Sequence, residues 1–178
     1  MQPKGPGNAI HRFFCGIAEF VFQTNLGVVD PPLVDYISDM LCRFVRQDAL
    51  LRIRNTKGRR VDEVPHMVAE ADARLGLAKR AVHRHIGDFT LFWTGVYPEA
   101  LSRLKGRDRS DFFVDYCRQG KRAYMLAAQI ATDREDDDAP GDVLERLSHE
   151  FEMCAFGLGE IRREWERRED GPTPPILA

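Results

Sequence analysis

The sequence predicts an all-α fold: a single compact bundle of five to six helices in antiparallel and orthogonal packing. Apolar residues recur at helical spacing over long segments, turn residues are sparse and fall between them, and no stretch alternates apolar and polar residues long enough for a half-buried strand. The chain has 178 residues, 43% of them hydrophobic and 30% charged. A chain of that size buries roughly 70% of the surface its unfolded form exposes, enough for a core without a disulfide or metal staple.

Residues 1–8, rich in Pro and Gly, read as a flexible N-terminus ahead of one helical domain over 9–168. The first helix is expected from Ala9 to Gln23 with Phe13, Ile17, Phe20 and Val21 inward, ended by Asn25-Leu26-Gly27. Asp30 before Pro31 marks the next start. The carboxylate caps orphan N–H groups, and proline fits the first turn, where its missing donor costs nothing. That helix is expected to reach Leu51. Arg52 to Arg60 form a basic connector whose Asn-Thr-Lys-Gly centre is turn-like and could close a small hairpin.

Asp62 starts a short helix that accepts Pro65 in its first turn and turns Val64, Met67, Val68, Ala71 and Leu75 to one side. After Gly76, a helix over 78–96 places Val82, Ile86, Phe89, Trp93 and Val96 on one face, with a continuation from Pro98 to Leu104. Ser110 is placed to cap a helix from Asp111 to Ala131 that presents Phe113, Cys117, Gly120, Tyr124 and Ala127 inward, small residues at Gly120, Ala123 and Ala127 admitting a neighbour. An acidic loop follows over 132–141. The last helix, 142–167, carries Leu144, Leu147, Phe151, Cys154, Leu158, Ile161 and Trp165 at heptad spacing, expected to pack on the second helix and on the helix after Ser110. Gly-Pro-Thr-Pro-Pro opens the Pro-rich tail, 169–178.

No apolar run approaches the roughly twenty residues of a membrane span, and the Phe13–Phe22 run lacks the flanks of a signal peptide. Cys15, Cys42, Cys117 and Cys154 form no C-x-x-C pair and read as reduced packing residues of a cytoplasmic protein. A formal charge of −2 exerts no global pull on nucleic acid or an anionic membrane. Charge is nevertheless split: residues 51–130 hold 16 basic and 9 acidic side chains, residues 131–178 hold 6 and 14. Arg52, Arg54, Lys57, Arg59 and Arg60 are therefore candidates for binding a polyanion such as RNA, although they lack interleaved aromatics for base stacking. A solvated basic surface is the preferred reading, and nucleic acid is not expected as a partner.

Two histidine clusters stand out. His85 and Asp88 occupy adjacent positions on one helix, where a carboxylate could fix an imidazole tautomer or both could meet a metal, while His83 points elsewhere. Glu145, His149 and Glu152 line a flank of the last helix. A metal or cofactor site, such as that of an oxidoreductase, would need His85, Asp88, His149 and Glu152 brought together by packing. A ferritin-like di-metal site needs two Glu-x-x-His pairs, and only Glu63–His66 matches. Phe89, Trp93 and Tyr97, with Tyr116 and Tyr124, could line a pocket between helices or simply fill the core.

The segments Gly27–Tyr36, His83–Leu101 and Phe151–Leu158 together resemble a group of uncharacterised bacterial helical proteins. The resemblance implies a bacterial source and brings no activity, ligand or cofactor. With no P-loop, H-E-x-x-H or G-x-S-x-G pattern present, the residues favour a non-catalytic interaction module, a homodimer or the ligand of another protein.

Overall fold

In the computed structural model, residues 7–45, 63–101, 109–132 and 139–168 are described. The basic connector with its hairpin, the acidic side chains of 133–138, both chain ends and the expected extensions to Leu51 and Leu104 lie outside them. The described residues form helices and no strands, in eight α-helices rather than five to six. They are α1 (Gly7–Glu19), α2 (Pro31–Phe44), α3 (Val64–Asp72), α4 (Gly76–Gly95), α5 (Pro98–Leu101), α6 (Arg109–Gln129), α7 (Gly141–His149) and α8 (Phe151–Arg167), with a π-helical segment, Phe20–Asn25, continuing α1. Among the described residues no helix is long and apolar enough to cross a membrane.

Local chemistry accounts for three of the boundaries. The Asp30 carboxylate accepts from the Leu33 N–H at 3.2 Å, capping α2 as expected. Gly27 and Gly76 take φ of +68° and +54°, the left-handed turns that end the π segment and open α4. Ser110 lies inside α6, which starts one residue earlier, so it is not the cap the sequence suggested.

Three expectations about faces and breaks need correction. The inward stripe of α1 is Phe14, Ile17 and Ala18, with Val21 and Phe22 joining from the π segment, while Phe13 is half-buried and Phe20 is 44% exposed. The run Phe13–Phe22 is apolar on more than one side, so periodicity alone leaves two overlapping stripes open. Leu75, expected inward, is 87% exposed because α3 ends at Asp72 and Leu75 becomes the residue ahead of α4. The last helix is two, since Glu150, at φ −100° and ψ 25°, leaves helical geometry between α7 and α8.

That break decides the packing. All seven heptad residues are buried, but α7 packs on α6 and α2 whereas α8 crosses chiefly to α4, touching α1, α6 and the π segment as well. Helix α4 is the axis of the fold, touching α2, α3, α5, α6 and α8. Every residue from His85 to Phe92 is buried, the pattern of a helix surrounded on all sides. Close approach to α6 relies on Gly120, where an added Cβ would come within 2.4 Å of both the Phe151 ring and the Thr90 hydroxyl. The Thr90 and Thr94 hydroxyls donate to the carbonyls of Ile86 and Thr90, four residues back, satisfying themselves inside the core. Arg80 Nη2 reaches the Ala139 carbonyl at 2.6 Å, tying α4 to the start of α7.

Candidate functional site

The buried stretch of α4 carries one carboxylate, and three helices converge on it. Asp88 is 3% exposed, and a buried carboxylate persists only where donors replace water. From α2, the Tyr36 hydroxyl donates to Asp88 Oδ1 at 2.5 Å and Arg43 Nη2 to Oδ2 at 3.0 Å. From α6, the Tyr124 hydroxyl donates to Oδ1 at 2.9 Å. Arg84, one turn before Asp88 on α4, donates from Nε to the Tyr36 oxygen at 3.1 Å. Gly87 makes room for this: a Cβ there would sit 2.5 Å from the Tyr124 ring.

Both guanidinium groups also lie over the Tyr36 ring, Arg43 at 5.6 Å and Arg84 at 5.3 Å from its centroid. Burial pushes both tyrosine hydroxyls far above their ordinary pKa and the Asp88 charge adds to it, so they remain neutral donors. Burial works against the charge on Arg43 and Arg84, but Asp88 and Tyr36 outweigh it and raise both. The result is a fixed polar cluster with two cations, one anion and two neutral hydroxyls.

The expected metal set does not assemble. His85 is buried beside Asp88 in sequence, yet its ring stacks on Phe44 at 5.9 Å, while the Asp88 carboxylate is engaged by Tyr36, Tyr124 and Arg43. His149 and Glu152 are exposed, on α7 and α8. Glu152 is paired with Lys121 at 2.7 Å, and that hydrogen bond lowers its pKa. Among the described residues no group of three or more His, Cys, Asp or Glu is arranged to hold a metal ion.

His83 is 3% exposed and neither ring nitrogen has a hydrogen-bond partner among the described residues. Its pKa is lowered, first by burial and then by Lys79, with Asp72 opposing and Arg122 adding.

The aromatic candidates divide. Phe89, Trp93 and Tyr97 pack along α4, Phe89 against Trp93 at 6.1 Å and Trp93 against Tyr97 at 6.2 Å. Arg162 of α8 lies over the Tyr97 ring at 4.6 Å. Tyr124 belongs to the Asp88 cluster instead, and Tyr116 is half-buried. The five basic candidates, Arg52, Arg54, Lys57, Arg59 and Arg60, lie outside the described residues.

Sequence reasoning singled out neither Tyr36, Arg43 nor Arg84. A signal was present, since Tyr36 shares the inward stripe of α2 with Leu33, Ile37 and Met40, and a tyrosine on such a stripe needs a partner for its hydroxyl. No family model, curated protein or solved structure matches the chain.

Proposed function

We propose that the chain is a non-catalytic helical interaction module that works as a homodimer in a bacterial cytoplasm. The observation that carries this is a pair of exposed phenylalanines on adjoining elements. Phe156 is 58% and Phe20 44% exposed. The π segment and α8 meet where the Phe22 ring fills the space over Gly157, so each exposed ring lies within two residues of that contact. Charged residues Glu19, Glu152, Glu160 and Arg163 lie near them in sequence, and an interface with an aromatic centre and polar rim would draw on both kinds of residue. The four free cysteines suit a reducing compartment.

Sedimentation equilibrium of the wild-type chain and of Phe156→Glu tests the reading. A wild-type mass of twice 20.4 kDa, falling to the monomer in the variant, is the expected result. A wild-type monomer at every concentration overturns the dimer.

A further inference from the structure

We propose that Arg43 and Arg84 form a binding site for a small organic carboxylate, floored by Tyr36 and Asp88. The argument starts from donor capacity. A guanidinium carries five N–H donors. Arg43 commits one nitrogen to Asp88 and Arg84 one to Tyr36, and neither has a nitrogen sealed in the interior without a partner. Each guanidinium keeps further donors beyond that one bond. The Arg43 side chain is 29% exposed and Arg84 is half-buried, so solvent and a small solute reach both groups.

Charge selects the ligand class. Two guanidinium groups against one carboxylate leave a single positive charge, because Tyr36 and Tyr124 stay neutral. A monoanion neutralises it, whereas a dianion would leave a half-buried site with an excess negative charge. The forked guanidinium also matches the two oxygens of a carboxylate in plane.

Position is set in advance. Asp88 holds Arg43 and the Tyr36 hydroxyl holds Arg84, so the site pays little ordering entropy on binding. Both cations sit within 6 Å of one ring centroid, and the charge of Arg84 works against that of Arg43. An anion held by both relieves this repulsion.

The test follows the Nε–Hε signals of Arg43 and Arg84 by nitrogen-15 NMR, with sodium acetate titrated against sodium chloride at equal ionic strength. The expected result is a saturable acetate shift at both signals, at least tenfold weaker at Arg43 in Arg84→Gln and unchanged in Arg12→Gln on α1. Thermal denaturation of the wild type gives a second readout, with acetate raising Tm above matched chloride. Non-saturating shifts equal to those with chloride overturn the site. A saturable shift that survives Arg84→Gln assigns it elsewhere and overturns it too. Tighter binding of inorganic phosphate than of acetate refutes the carboxylate assignment.

Discussion

Replacing Asp88 by alanine removes the acceptor on which two tyrosines and an arginine converge. Breaking a buried ion pair from one side costs about 3–5 kcal/mol, because the other charge is left behind. Here the lower end applies to the pair itself, since the Arg43 side chain is 29% exposed and can recover water. The hydroxyls add to it. Tyr124 loses its partner in a fully buried position, at about 1–3 kcal/mol, while Tyr36 keeps its contact with Arg84. The expected total is about 4 kcal/mol, a large share of the 5–15 kcal/mol that holds most domains together. At about 2–4 °C per kcal/mol for a chain of this length, Tm falls by about 8–16 °C.

Milder variants grade the effect. Tyr124→Phe removes one bond and leaves Asp88 with two donors, so about 1–1.5 kcal/mol is expected. Asp88→Asn keeps an oxygen for the tyrosines but turns an amide N–H₂ group toward Arg43, and it falls between the two. Urea unfolding followed by circular dichroism measures all three, and the double variant Asp88→Ala/Tyr124→Phe supplies the coupling. A loss below about 1 kcal/mol for Asp88→Ala, the size of an ordinary substitution, would refute the claim that the cluster holds α2, α4 and α6 together.

Four further outcomes are expected. Gly120→Ala forces a methyl against Phe151 and Thr90 and lowers stability by about 1–3 kcal/mol despite the better helix propensity of alanine. Gly16→Ala, on an exposed α1 position with open space around it, raises stability by about 0.5–1 kcal/mol in the same thermal melt. The lowered pKa of His83 means the unfolded chain takes up its proton first as pH falls from the ordinary value of 6.5. Its contribution is therefore intact above 6.5 and is lost between 6.5 and the lower folded value. His83→Leu should flatten the decline in Tm over that window, and an unchanged slope contradicts it. Burial pushes the Cys117 thiol up to about 11 and Cys154 to about 12, so neither should react with a thiol reagent at pH 8 until the chain unfolds.

The helices were legible because helical periodicity records burial on one side. The heptad residues of α7 and α8 were readable for that reason, and the α2 cap because a carboxylate ahead of Pro31 is itself a helix-start signal. A break is different in kind: Glu150 changes the chain's direction through two dihedral angles without disturbing the 3- and 4-residue spacing on either side. For α4 the stripe could not show its surroundings, because a helix buried all round has no polar face to set the phase. The Asp88 cluster draws residues from α2, α4 and α6 through bonds that span up to 52 positions, and no local spacing encodes such a meeting. His85 and Asp88 were neighbours on paper, while packing turned them to different partners.

The π segment has a consequence for chain length. A π turn closes its hydrogen bonds five residues back instead of four, as from the Leu26 N–H to the Val21 carbonyl, so it stores one residue more than the same turn of α-helix. Deleting Phe20, which lies outside the core stripe, lets that turn revert to α geometry while Phe14 and Ile17 on one side and Val21 and Phe22 on the other keep their places. A one-residue gap is tolerated at this point, whereas the same gap in the middle of α4 would rotate Asp88 away from both tyrosines by about 100°.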